Sequence, residues 1–134
     1  MGFVKCAGTH GSARIIPIGK PCRHAMEVYV SEVRETLLKG KESESLFLNY
    51  AGNPFTRQGL WKILKEYGEA ANFAIPLTPQ VIRNSFAVHM LQNGADVKSL
   101  QELMGHEDIS ATQAYLAVVK NRIKDVYDKV HPRA

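Results

Sequence analysis

The sequence predicts an α+β fold that is mostly helical, with a small antiparallel β-hairpin at the amino terminus and helices after it. Two apolar runs, residues 3–7 and 13–18, flank the glycine-bearing segment 8–12 and have the length of strands joined by a turn. From Pro21 onward, apolar residues instead recur at the spacing of a helix face. A chain of 134 residues with 45% hydrophobic content predicts a single domain over residues 1–134.

The first helix is predicted to run from Pro21 to about Gly40. Its apolar face is formed by Met26, Val30, Val33, Leu37 and Leu38. The polar segment 41–45 then indicates a loop, residues 46–48 a brief extended run, and residues 49–54 a turn rich in helix breakers.

Capping residues mark the later helices. Thr56, Thr78 before Pro79, and Asp96 are predicted N-caps, whereas Gly94 and Gly105 are predicted to end helices. The helix after Asp96 has an apolar face of Leu100, Leu103 and Met104. We expect one further helix to begin at Ser110 and a separate amphipathic helix to cover about residues 120–130.

Charge and composition narrow the class of protein. A net charge of +4 and a pI near 9.1 fit a protein that binds phosphates, although many cytosolic domains share this balance. The longest apolar runs, such as residues 13–18, are far too short to span a membrane, and no leader precedes them. Cys6 and Cys22 are too few and too simply spaced to indicate the disulfide framework of a secreted protein. We therefore expect a soluble cytoplasmic protein with reduced thiols.

Three motifs follow one another between residues 77 and 115: L-T-P-Q-V-I-R-N-S-F-A-V-H, G-A-D-V-K-S-L-Q-E-L-M-G-H and I-S-A-T-Q-A-Y. Together they resemble the tyrosine site-specific DNA recombinases of the Xer type and related integrases. That family has a T/S-P-H-x-L-R-H-x-F-A-x-H helix, L-G-H at a helix end, and T-x-x-Y after it. Residues 3–19 are similar to the family's β-hairpin. The resemblance implies the helical catalytic domain of a tyrosine recombinase, incomplete at the amino terminus.

Carried over residue by residue, the resemblance makes Tyr115 the nucleophile, which attacks a DNA phosphodiester and forms a covalent 3′-phosphotyrosine. It makes Arg83 the second of two family arginines and His106 the histidine that supports the scissile phosphate. Arginine and histidine can donate hydrogen bonds to phosphate oxygens in the transition state, so neither a metal nor a cofactor is expected. We place Arg83 in the first turn of its helix and His106 just after a glycine, both facing one anion.

Each of these residues also has a simpler interpretation when taken alone. Tyr115 could be a core or amphipathic surface residue, His106 a loop residue, and Arg83 a solvated helix charge. Their joint order and spacing favour the recombinase interpretation. His89 matches a common family histidine, but we interpret it as a packing or helix-surface residue.

The sequence departs from the family at positions that bear on activity. The family's first arginine lies upstream of the hairpin, in a segment that this sequence does not contain. The hairpin lysine aligns with Thr9, which is next to His10, and the helix histidine is replaced by Gln80. Glutamine can donate a hydrogen bond but cannot exchange a proton near pH 7. Asn84 replaces another usual histidine. We therefore expect cleavage to be absent or severely impaired.

Three hypotheses remain open. The chain is either the catalytic domain of a recombinase or a degenerate relative that binds DNA or docks on an active protomer. Truncation cannot explain Thr9 and Gln80, and these two residues favour the second hypothesis. A zinc site is the third, from Cys6, His10, Cys22 and His24, but the spacing C-x3-H-x11-C-x-H fits no compact zinc finger.

The expected partner is double-stranded DNA. Candidate phosphate contacts are Arg57, Lys62, Arg14 and Lys98, with Lys5, Lys20 and Arg83 in addition. The last helix carries Ile123, Val126, Tyr127 and Val130 on one side. The resemblance implies that this face packs on a neighbouring protomer, giving a homo-oligomer on DNA. Equally, the helix could fold back on its own core.

Overall fold

The computed structural model describes residues 2–7, 13–105, 109–130 and 132. A β-hairpin precedes a series of helices, as predicted. The elements in chain order are β1 (Gly2–Ala7), β2 (Ala13–Ile18), α1 (Lys20–Val28), a π-helical turn (Tyr29–Val33), α2 (Arg34–Leu38), α3 (Arg57–Ala70), α4 (Pro79–Gln92), α5 (Val97–Met104) and α6 (Ile109–Val130). The chain divides into two compact units, Met1–Asn72 and Phe73–Ala134.

The first unit opens with the predicted hairpin. β1 and β2 pair antiparallel, from Gly2 opposite Ile18 to Ala7 opposite Ala13. Exposed and half-buried residues alternate along both strands, as expected where side chains point to opposite faces. The predicted connecting turn, residues 8–12, lies outside the described residues.

The first helix differs from its prediction in one respect. It begins at Lys20 and ends at Leu38, but the π-helical turn Tyr29–Val33 separates α1 from α2. A π-turn holds more residues than an α-turn, so it shifts the residues around the helix axis. The predicted apolar face is therefore wrong for Val30 and Val33, which are 47% and 41% exposed, whereas Leu38 is buried.

Two side chains of this helix fasten the loop that follows it. Arg34 donates hydrogen bonds to the carbonyls of Ser43 and Ser45, at 2.6 and 2.9 Å from Nη2. The Tyr29 hydroxyl donates to the Leu46 carbonyl and accepts from the Leu48 amide, at 3.1 and 3.0 Å. The predicted extended run at residues 46–48 is reduced to a single bridge, from Leu48 to Pro54.

The predicted helix starts are confirmed at three places. Thr56 Oγ1 accepts from the Gly59 amide at 3.0 Å, Thr78 Oγ1 from Val81 at 3.1 Å, and Asp96 Oδ1 from Ser99 at 2.8 Å. These bonds satisfy amides that have no partner within the first helical turn. Gly94 and Gly105, with φ of 89° and 91°, follow α4 and α5 as predicted.

The prediction of two helices after Gly105 is wrong. α6 is a single helix of 22 residues from Ile109 to Val130. The sequence contains no glycine or proline between these residues, so no local breaker interrupts the helix. No helix in the described part of the chain is long and apolar enough to cross a membrane.

The core of the second unit is formed where α4, α5 and α6 meet. Its buried members are Ala87, Leu91, Leu100, Met104 and Tyr115. Leu100 is fully buried, and Leu103 of the predicted apolar face is half-buried. The core therefore fixes the positions of the three helices that carry the candidate site.

Candidate active site

The first turns of α4 carry three polar residues of the candidate site. Gln80, Arg83 and Asn84 are spaced three and four residues apart, which places them on one face of the helix. Arg83 is the fifth residue of α4. With 3.6 residues per turn it lies in the second turn, so its predicted place in the first turn is wrong.

Arg83 links α4 to the end of α5. Its side chain is half-buried, and Nη2 donates a hydrogen bond to the carbonyl of Met104, the last residue of α5. This carbonyl is one of the four at a helix end that have no partner within the helix. The bond brings the guanidinium to the chain two residues before His106. His106 itself lies outside the described residues.

Tyr115 lies on α6 and is only 7% exposed. Its ring belongs to the core between α4, α5 and α6. The hydroxyl donates a hydrogen bond to Asn84 Oδ1, 2.5 Å away. Gln80 Nε2 donates to the same oxygen from a distance of 2.7 Å. Asn84 is therefore the residue through which α4 holds the phenol.

Helix α4 carries the guanidinium of Arg83 and binds the phenol of Tyr115. Arg83 and Asn84 are consecutive residues, one bonded to the end of α5 and the other to Tyr115. A phenol oxygen is a potential nucleophile and a guanidinium is a potential phosphate ligand. The second unit thus holds a phenol and a guanidinium that contact neighbouring residues of α4 or belong to them.

Sequence reasoning did not identify Asn84 as a site residue. In the motif, Asn84 stands out only as a replacement for a histidine. Its spacing of four residues from Gln80 indicated a side-chain pair on a helix surface. Its bond to Tyr115 spans 31 positions and could not be read from local sequence.

The candidate DNA contacts lie on several elements. Arg57 and Lys62 are exposed on α3, Lys98 is exposed on α5, and Arg14 is half-buried on β2. The Arg14 Nε atom is buried and has no hydrogen-bond partner within the described residues. Thr9, predicted to stand in place of the hairpin lysine, lies outside the described residues.

The remaining histidines and the cysteines do not gather into a metal site in the described part of the chain. Across the described ranges, no group of three or more His, Cys, Asp or Glu residues could hold a metal ion. Cys6 is half-buried and Cys22 exposed, and both are free thiols. His24 and His89 are exposed, and His10 lies outside the described ranges. His89 therefore lies at the surface of α4.

One carboxyl of the second unit has a perturbed pKa. The Ser99 hydroxyl and amide donate hydrogen bonds to Asp96, at 2.6 and 2.8 Å, and they lower the pKa of this carboxyl below its ordinary value of 3.8. Asp96 is therefore ionised near neutral pH, and its carboxylate caps α5.

Comparison with known proteins decides the family. The model of the phage integrase family matches residues 1–122. The chain belongs to this family. The tyrosine recombinase XerD of Halalkalibacterium halodurans is 48% identical over 134 residues, which is 100% of this chain and 45% of that protein. The tyrosine recombinase XerD of Listeria monocytogenes is also 48% identical, over 100% of this chain and 46% of that protein. The resemblance drawn from the motifs is thus confirmed.

Solved structures agree on the fold. The crystal structure of XerA recombinase has a TM-score of 0.80 at 23% identity and covers 98% of this chain and 47% of that one. XerH recombinase, bound to palindromic difH substrate in a post-cleavage complex, has a TM-score of 0.77 at 21% identity and covers 92% of this chain and 35% of that one. The predicted α+β recombinase fold is confirmed. This member of the phage integrase family spans less than half the length of the XerD relatives.

Proposed function

We propose that this chain is part of a site-specific DNA recombinase and that Tyr115 is its nucleophile. The observation that carries the proposal is that two consecutive residues of α4 engage the phenol and supply the guanidinium. Asn84 binds the Tyr115 hydroxyl, and the neighbouring Arg83 binds the end of α5. The XerD relatives, at 48% identity over the whole chain, are tyrosine recombinases.

The proposed reaction conserves the phosphodiester bond energy. The Tyr115 hydroxyl gives its proton to solvent, Tyr115 Oη bonds to phosphorus, the bond from phosphorus to the 5′ oxygen breaks, and this oxygen takes a proton from solvent, so that no net proton is released. The product is a 3′-phosphotyrosine and a free 5′ hydroxyl, which can attack in the reverse direction to rejoin DNA. Arg83 and His106 donate hydrogen bonds to the non-bridging oxygens, where negative charge accumulates.

Cleavage by this chain is proposed to be severely impaired. Gln80 stands where the family has a histidine, and an amide cannot exchange a proton near neutral pH. Its Nε2 also donates to Asn84. Thr9 stands where the family has a lysine. A lost general acid or oxyanion donor reduces a rate by about a hundredfold to a thousandfold.

Covalent capture tests this proposal without knowledge of the target site. The chain is incubated with nicked double-stranded DNA of random sequence, denatured in SDS, and assayed for a protein–DNA adduct. We expect a low yield of adduct that disappears in Tyr115→Phe, which keeps the ring and removes the hydroxyl. Failure of the wild-type chain to form an adduct, together with DNA binding, would favour the alternative below.

The alternative is a degenerate module that binds DNA or docks on an active protomer without cleavage. The observation that favours it is the engagement of Gln80 with Asn84, which leaves an amide pair where the family has proton-transfer groups. The module would bind double-stranded DNA through Arg57, Lys62, Arg14 and Lys98. Its affinity should fall steeply with salt, since each phosphate contact releases counterions. A salt-independent affinity would argue against direct phosphate contacts.

We further propose a cytoplasmic location and assembly on DNA through the carboxy-terminal part of α6. The side chain of Val130, at the end of this helix, is 73% exposed and supplies apolar surface for such a contact. The side chains of Ile123, Val126 and Tyr127 lie outside the described residues. Sedimentation with and without double-stranded DNA tests the assembly, and an unchanged monomer mass in both conditions would contradict it.

A further inference from the structure

A hydrogen-bonded chain of three residues runs from the surface of α4 to the core of the second unit. Gln80 is exposed, Asn84 is half-buried and Tyr115 is buried. The Gln80 amide and the Tyr115 hydroxyl both donate to Asn84 Oδ1, at 2.7 and 2.5 Å. A carboxamide oxygen has two lone pairs, so these two donors use its full accepting capacity.

The double acceptance couples the orientations of the Asn84 and Gln80 amides. If the Asn84 amide alone were turned over, its NH2 group would face the NH2 group of Gln80, and two donors would meet. As long as Gln80 presents Nε2, the pair keeps Asn84 Oδ1, and not Nδ2, toward the phenol. In this orientation the phenol is the donor, so the proton of Tyr115 lies between its own oxygen and Asn84.

This direction of donation has a chemical consequence. An amide oxygen is a good hydrogen-bond acceptor but does not take up a proton near neutral pH. While the hydroxyl is bound to Asn84, it donates to an oxygen that does not accept its proton, and it is turned toward α4. A phenol that attacks phosphorus must give up its proton to another group, and at 7% exposure it must also become accessible.

We infer that Asn84, oriented by Gln80, is a positioning residue that holds the Tyr115 hydroxyl on α4 in the free protein. The inference rests on the proposed function only in taking Tyr115 as the nucleophile. It assigns to Gln80 a role other than proton transfer, namely to orient the amide of Asn84. The inference also distinguishes two contacts of Tyr115. The hydroxyl binds Asn84, whereas the ring packs against the core residues.

The test measures the reactivity of each tyrosine hydroxyl in the free protein. N-Acetylimidazole acetylates accessible tyrosine hydroxyls, and peptide mass spectrometry follows the rate at each residue. Tyr50 and Tyr67, which are 88% and 67% exposed, serve as internal references. In the wild-type chain, we expect Tyr115 to react far more slowly than either reference.

Two substitutions that keep the number and branching of the side-chain heavy atoms separate hydrogen bonding from packing. Asn84→Leu removes the acceptor, and we expect the acetylation rate of Tyr115 to rise about three- to tenfold, the effect of losing one neutral hydrogen bond. Asn84→Asp keeps an oxygen acceptor for both donors, and because its hydrogen bond to the phenol is charge-assisted, Tyr115 should react no faster than in the wild-type chain. Equal rates in wild type and Asn84→Leu would overturn the inference, as would an equal rise in both variants.

Gln80→Met gives a second route if Asn84→Leu does not fold. Gln80 is exposed, so this change removes the orienting donor without disturbing the core. We expect a smaller rise at Tyr115, about two- to threefold, with Tyr50 unchanged. No rise in Gln80→Met would contradict the orienting role of Gln80. A complete lack of DNA adducts with the acetylation pattern intact would instead refute the nucleophilic role of Tyr115 and leave its docking on Asn84 in place.

Discussion

Arg83 donates a hydrogen bond to the carbonyl of Met104, so a cationic side chain of α4 caps the carboxy-terminal end of α5. A positive charge at this end of a helix is favourable because the helix dipole is negative there. Arg83 is thus a structural residue as well as a candidate phosphate ligand. Its substitution should affect folding even in the absence of DNA.

We predict that Arg83→Ala lowers the free energy of unfolding by about 1–2 kcal/mol, because it removes a charged donor and leaves the carbonyl of buried Met104 unpaired. Urea denaturation followed by circular dichroism measures this change. Arg57→Ala, at an exposed position in the first turn of α3, is the control and should change stability by less than about 0.5 kcal/mol. Equal stability of Arg83→Ala and wild type would contradict the capping role.

Gly52 is required by both its backbone angle and its surroundings. Its φ is 78°, and a Cβ at this position would lie 2.5 Å from the carbonyl oxygen of Leu37. Gly40 has nearly the same φ, 79°, with nothing within 4 Å of a Cβ. These two glycines therefore separate backbone strain from steric overlap.

We predict that Gly40→Ala costs about 1 kcal/mol, from the positive φ alone, and that Gly52→Ala costs about 3 kcal/mol, because the chain must also move away from Leu37. The comparison needs only the urea midpoints and slopes of the two variants. Equal losses of unfolding free energy in the two variants would show that the chain moves away from the Leu37 carbonyl without losing stability.

Thr78 begins the helix that carries the site. Its Oγ1 accepts from the Val81 amide at 3.1 Å. We predict that Thr78→Ala reduces stability by about 1 kcal/mol and that Thr78→Ser, which keeps the hydroxyl, stays within about 0.5 kcal/mol of wild type. Thermal denaturation of both variants checks this prediction, and a Thr78→Ser as unstable as Thr78→Ala would argue that the methyl group matters and the cap does not.

The cap at Asp96 should depend on pH. Because hydrogen bonds from Ser99 lower the pKa of this carboxyl below 3.8, its contribution to stability is complete above pH 3.8 and is lost as the pH falls through the lower folded-state value. We predict that the difference in melting temperature between wild type and Asp96→Ala is constant from pH 7 to about pH 5 and shrinks below pH 3.8.

Asp96→Asn is the matched control, because an asparagine cap carries no titratable group. Its stability relative to Asp96→Ala should not vary with pH through this effect. If the two differences follow the same pH course, the titrating group is not Asp96.

Local signals were sufficient for most of the fold. The hydroxyl and carboxyl caps at Thr56, Thr78 and Asp96 act within one turn, so their positions in the sequence determine where the helices begin. The glycines after α4 and α5 act in the same way, through a positive φ. These features depend on neighbouring residues alone and are therefore visible in a single sequence.

The errors have a common origin in features that local sequence does not determine. The π-turn at Tyr29–Val33 lies where Tyr29 and Arg34 form hydrogen bonds to the loop after α2. These bonds join residues that are 9 to 19 positions apart in the sequence. The supposed break within α6 rested on a change of pattern without a glycine or proline. In the site, the motifs placed Arg83 and Tyr115 in order along the chain. The partners of these two residues, Met104 and Asn84, emerged only when the helices packed together.

The π-turn also bears on how this segment tolerates changes in length. Deletion of one residue between Tyr29 and Arg34 would allow an uninterrupted α-helix, and because a π-turn only accommodates an extra residue, the residues downstream would keep nearly the same direction around the axis. Arg34 would then still face the carbonyls of Ser43 and Ser45. A single-codon deletion here should therefore straighten the helix and leave the loop attached, whereas the same deletion within the regular part of α1 would turn Arg34 by about 100° and release the loop.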